Sequence, residues 1–123
     1  VLEIALCAAL DALADGRVFP DTAPEGVQRP FITFQAVGGQ SNVVMAGPGE
    51  ARNARVQINV WANTRLGAGA LMERVRATVC DRTKAGSLNG TPIGEPDWLH
   101  EDDTDWYGSR MDFSLWYSLQ PNA

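Results

Sequence analysis

The chain has 123 residues, enough for one ordinary core and too few for a second domain beside it, so residues 1–123 are read as a single domain. Apolar residues make up 45% and charged residues 20%, globular proportions that allow folding without disulfide staples. Ten Lys and Arg against fifteen Asp and Glu give a formal charge of −5. That balance disfavours DNA wrapping and sequence-specific nucleic-acid binding, which draw on cations that neutralise phosphates.

In the first segment Leu2, Leu6, Leu10 and Leu13 recur at helical spacing, Ala5, Ala8, Ala9 and Ala12 add propensity, and Gly16 stands where a helix should stop. The run from Val1 to Leu13 is interrupted by Glu3 and Asp11, is too short to span a bilayer and has no basic flank of a signal peptide. A cytosolic chain without a membrane partner is expected. Pro20, Pro24 and Pro30 predict an irregular stretch from Phe19 to Pro30, and the alternating Phe31–Val37 is the first strand. Gly38 to Ala54 is longer than the few residues that close a hairpin. It reads as a projecting contact arm as readily as passive slack, with room for short strand pairing around Asn42 to Ala46. The second strand, Arg55–Ala62, turns Val56, Ile58 and Val60 to a core and Gln57, Asn59 and Trp61 to the other side.

Asn63 or Thr64 then caps a helix running to about Arg82, with a stripe of Leu71, Val75 and Val79 supported by Leu66. A turn region from Gly86 to Pro96 leads to a weaker strand over Asp97–Asp102. The last strand, Arg110–Leu119, sets Met111, Phe113, Leu115, Tyr117 and Leu119 against Arg110, Asp112, Ser114, Trp116 and Ser118. The order α-β-β-α-β-β predicts an α+β fold, a two-layer sandwich of a mostly antiparallel or mixed sheet with both helices on one face.

Signals for chemistry are weak throughout. Cys7 and Cys80 form no CxxC pair and read as reduced, semi-buried helix thiols. Gly67-Ala68-Gly69 opens a helix but has Met72 at the third glycine position of a dinucleotide fingerprint. In Gly47-Pro48-Gly49 the proline removes an amide that a phosphate cradle needs. Ser41 lies in no nucleophile turn. His100-Glu101-Asp102-Asp103-Thr104-Asp105 gathers four carboxylates and the single imidazole without the ligand order of a calcium loop, and reads as a solvated turn. No catalytic, cofactor-binding or metal-binding residue is expected. The rival from another class is a small metal-dependent hydrolase built on this cluster.

Trp61 and Trp116 occupy the polar sides of their strands. Covering one tryptophan removes about 150–250 Å² from water. Either the chain's own loop or helix covers them, or a neighbouring subunit does, since aromatic anchors on a polar sheet face mark interface centres. Trp61, Trp116, Gln57 and Asn59 on the sheet, with Val43, Val44 and Met45 on the arm, are therefore the candidate contact residues.

Several stretches together resemble the tail-completion proteins of long-tailed phages and prophages, also described as tail terminators or head-to-tail joining proteins. They are Arg17-Val-Phe-Pro20, Ala23-Pro24-Glu-Gly26, Arg29-Pro-Phe-Ile-Thr-Phe-Gln35, Arg55 to Ala62, Glu101-Asp-Asp103 and Arg110 to Tyr117, in this order behind an Ala/Leu-rich helix. The resemblance implies a cofactor-free structural protein that forms a ring, expected to be a hexamer, on the head-proximal end of the tail tube. Its implied partners are its own copies, the major tail-tube protein and the head-tail connector or neck proteins. It would be found in the host cytoplasm during assembly and in the tail or neck of the virion. A head-side neck adaptor is the alternative within the same class. Net acidity suits a pore through which DNA slides, because acidic walls repel phosphates.

Overall fold

Leu2, Leu6 and Leu10 are buried on one side of α1 (Leu2–Leu10), the first element of the computed structural model, which describes residues 2–38, 51–80, 90–101 and 105–118. The helix tightens into a 3-10 turn over Asp11–Leu13 and stops where Asp15 and Gly16 take left-handed φ of 50° and 80°. Gly16 donates its N–H to the Asp11 carbonyl at 2.9 Å. Glycine adopts that geometry without a Cβ clash, so it ends the helix as the sequence predicts.

The Pro-rich stretch is not irregular throughout. Its start forms β1 (Val18–Pro20), which pairs in parallel with β2 (Phe31–Ala36) and adds a strand to the predicted order. Ile32 donates to the Arg17 carbonyl at 2.9 Å, and Asp21 donates to the Phe34 carbonyl at 2.8 Å. The Arg17 guanidinium Nε donates to the Pro30 carbonyl at 2.9 Å. Pro20 is tolerated because β1 lies at the sheet edge, where a missing N–H breaks no ladder.

The remaining elements are β3 (Ala51–Ala62), α2 (Arg65–Cys80), β4 (Gly90–Glu101) and β5 (Trp106–Ser118). The five strands run in the order β1-β2-β3-β5-β4, antiparallel except for the first pair. Register places Phe34 beside Ile58 and Ile58 beside Met111, with Ile32 by Val60 and Val56 by Phe113. With a side-chain period of two, all of these face the same way. Leu2, Leu6 and Leu10 from α1 and Leu71, Met72, Val75 and Val79 from α2 complete one core with them. The fold is the expected α+β two-layer sandwich, in the order α-β-β-β-α-β-β.

Strand limits differ from expectation in an instructive way. β3 starts at Ala51 rather than Arg55, and β5 at Trp106 rather than Arg110. β4 begins at Gly90 rather than Asp97 and runs through a break in its register with β5 between Ile93 and Asp97. Pro92, Pro96 and Gly94 at φ 78° lie in or beside that break and interrupt the alternation that would reveal a strand. Leu66 does not support the core stripe: it is 86% exposed. Five residues at about 100° each set it about 140° away from Leu71, and Ala68 and Met72 hold the inner positions instead.

Thr64 is the helix cap. Its Oγ1 accepts from the Gly67 N–H at 3.0 Å. Thr64→Ala is expected to cost about 1 kcal/mol, read as a lower urea midpoint with an unchanged m-value. Val43, Val44, Met45, Ser41 and Gly47-Pro48-Gly49 lie outside the described residues, as do Arg82, Asp102, Asp103 and Leu119.

Candidate interaction surface

The strand period that buries Val56, Ile58 and Val60 turns Gln57, Asn59 and Trp61 to the face that the helices leave open. Register sets Phe31 beside Trp61, Thr33 beside Asn59, and Gly108 and Arg110 of β5 on the other side. After β1 the chain bends at Asp21, φ 65°, and the segment Asp21 to Val27 walls a trough of about 680 Å³ on this face. Gln57, Asn59 and Trp61 line it together.

The floor is aromatic because of a residue that sequence reasoning missed. Trp106, at the start of β5, stands edge-on to Phe31 with centroids 5.5 Å apart and lies 5.9 Å from Trp61. The Arg29 guanidinium sits 5.4 Å above its ring. Phe31 is thereby only 2% exposed although it belongs to the open face, whereas Trp61 and Trp106 stay half-buried. The signal for Trp106 was the alternation Trp106, Gly108, Arg110, in phase with the polar side of the predicted last strand.

Trp116 shares the face but not the trough. Its cross-strand neighbour is Asn53, and the six residue steps from Arg110 to Trp116 span about 20 Å of strand. Between the two ends the surface is polar. Arg55 donates through Nε and Nη2 to Asp112 Oδ2 at 3.0 and 2.7 Å, and Asn53 Nδ2 donates to Ser114 Oγ at 2.8 Å. The face therefore has an aromatic end and a polar ladder, with Trp116 beyond the ladder.

The histidine cluster is held by packing. His100 stacks on Tyr107 with centroids 4.6 Å apart, and its Nε2 lies 3.0 Å from Asp105 Oδ1. That hydrogen bond is the main reason the Asp105 carboxyl is held below its usual range. Among the described residues no group of three or more His, Cys, Asp or Glu is placed to hold a metal ion. Cys7 and Cys80 are half-buried helix cysteines. Burial, then the nearby Asp11 and Glu3, push the Cys7 thiol up and make it a poor nucleophile. Gly67, in the segment weighed as a nucleotide fingerprint, donates to the Thr64 cap.

A trough floored by aromatic rings and edged by amides, set on one face of a sheet whose other face is sealed, is equipped to bind protein surface. Residues 5–118 match the family model described as Tail completion protein gp17. The chain belongs to that family. No curated protein matches it in sequence. By fold it is similar to a chain in the virion of a native gene transfer agent particle, with a TM-score of 0.59 and 14% identity, covering 95% of this chain and 94% of that one. As a tail-completion protein it is a structural component of phage assembly. No helix among its described residues is long and apolar enough to cross a membrane.

Proposed function

We propose that this tail-completion protein closes the head-proximal end of the tail tube as a ring, a hexamer, and joins it to the neck without making or breaking a bond. The observation that carries this reading is the open sheet face, where Phe31, Trp61 and Trp106 floor a trough beside Gln57 and Asn59. A closed ring uses heterologous contacts, so each subunit presents two different complementary patches. One is the sheet face with Gln57, Asn59, Trp61 and Trp116. The other is the segment between β2 and β3, through Val43, Val44 and Met45. Copies of the chain, the tail-tube protein and the connector are the partners, met in the host cytoplasm during assembly and retained in the virion.

Trp61→Ser tests the sheet patch. Losing an aromatic interface anchor costs about 2 kcal/mol or more, so each contact is expected to weaken at least about thirtyfold. Light scattering should show a reduced assembly mass for the variant, and tail tubes should retain less of it than of the parent chain. Equal mass and equal retention would remove Trp61 from the contact. Pull-down on purified tubes and on purified connectors reads the joining role separately, and binding to connectors alone would make the protein a neck adaptor.

A further inference from the structure

The aromatic trough and the segment between β2 and β3 belong to opposite ends of the sheet. β3 pairs with β5 from Ala51 and Ser118 at one end to Ala62 and Tyr107 at the other. Phe31, Trp61 and Trp106 lie at the second end. The segment of residues 39–50 starts beside Arg55, whose N–H donates to the Gly38 carbonyl, and ends at Ala51. Ten strand steps carry β3 from Ala51 to Trp61, about 33 Å at the rise of a strand, and Trp106 lies beyond. Val44 stands seven residues before Ala51, and seven residues drawn out straight reach about 25 Å at most. Met45 reaches less far. The apolar part of this segment therefore falls short of its own aromatic floor, and within the assembly only another copy can lay it there.

The trough suits that segment in charge. Asp21, Glu25 and Arg110 border it and Arg29 lies above Trp106, two charges of each sign, so it presents no net charge to an occupant. Pro30 to Gly49 is the longest run of the sequence without a charged residue, and Val43, Val44, Met45 and Ala46 form its apolar part past Gly38. Such an occupant sheds no ion hydration on entry.

The trough also suits an extended chain. Gln57 and Asn59 stand two residues apart on β3, about 7 Å, which is the repeat of a strand. Neither side-chain amide has a hydrogen-bond partner among the described residues. Each carries donors and an acceptor, the complement of a peptide C=O and N–H. Val43 and Met45 are two residues apart as well, so a strand laid along β3 turns both to the rings while its backbone meets the amides. A methionine sulfur beside an indole adds a favourable contact. We infer that the trough of one copy seats Val43 to Met45 of the next as an added extended strand. This rests on the ring reading above and joins its two patches at a defined place. Donor segment and acceptor trough at opposite ends of one molecule give the head-to-tail contact that a ring needs.

Cysteine trapping on the full-length chain tests it. The parent chain, with its half-buried Cys7 and Cys80, is the blank under the same mild oxidation. Ala23, on the trough wall, accepts a cysteine without loss of either amide. Met45→Cys mixed with Ala23→Cys should give a disulfide-linked dimer, and the double variant a ladder ending in a closed ring. Val43→Asp should cut the ladder at least tenfold, because a carboxylate would have to shed water among the rings, and Val43→Ile should keep it. Dimers from either single variant alone, an internal disulfide in the double-variant monomer, or a ladder indifferent to Val43→Asp would overturn the seating. No ladder from a parent chain that sediments as an oligomer would overturn it and leave the ring reading standing. For a chain that sediments as a monomer, the same trapping is read on assembled tails. A ladder there supports the seating, a link from Met45→Cys to a tail-tube subunit gives the segment to the tube and overturns it, and single copies on the tail overturn the seating and the ring together.

Discussion

Phe113→Ala is expected to lower the free energy of unfolding by about 3–5 kcal/mol, the cost of deleting a fully enclosed aromatic side chain and leaving a cavity. Phe113 is 0% exposed and lies on β5, which has β3 on one side and β4 on the other, with Val56 and Pro92 as its register partners. Strands fixed on both sides cannot close in on the space. A domain of this length has about 5–15 kcal/mol in total, so the variant should sit near its unfolding midpoint at low urea. A loss below about 1 kcal/mol would show that the core repacks freely, against the close packing expected of protein interiors.

Gly108→Ala is expected to cost about 1–3 kcal/mol by overpacking and to disturb the trough at the same time. A Cβ at this position would stand 2.8 and 2.9 Å from Trp61 Cε3 and Cζ3, and 2.9 Å from the Val60 carbonyl oxygen. Trp61 has to swing, and its place beside Trp106 is lost. The near-UV circular dichroism of the tryptophans should therefore change with the stability. In a Trp61→Ala background the same substitution should cost no more than about half as much, because the ring clash is gone and only the carbonyl contact remains. An undiminished cost would mean that the backbone contact, and not the ring, makes glycine necessary there.

These two substitutions fall on opposite faces of β5, and they separate what could be read in advance from what could not. Met111, Phe113 and Leu115 alternate with Arg110, Asp112 and Ser114, so the inward set was legible residue by residue. The same held for Val56, Ile58 and Val60 and for the inner stripe of α2 apart from Leu66. Gln57, Asn59 and Trp61 were legible as an outward set for the same reason. β1 was not, because three residues beside prolines carry no period, and its pairing with β2 is parallel and supplied by Arg17, Asp21 and Phe34 backbone groups. β4 was shortened for a related reason, since its break at Ile93 to Asp97 scrambles the alternation.

The order of apolar and polar residues, acting through the two-residue period of strands and the 3.6-residue period of helices, determined by itself that this protein is a two-layer α+β sandwich with one face sealed. The string of short stretches from Arg17 to Tyr117 was enough to place it among tail-completion proteins. Only the tertiary structure decided where the aromatic rings meet. Phe31, Trp61 and Trp106 come from three strands far apart in the chain, and cross-strand register, a property of pairing and not of any local segment, sets them side by side.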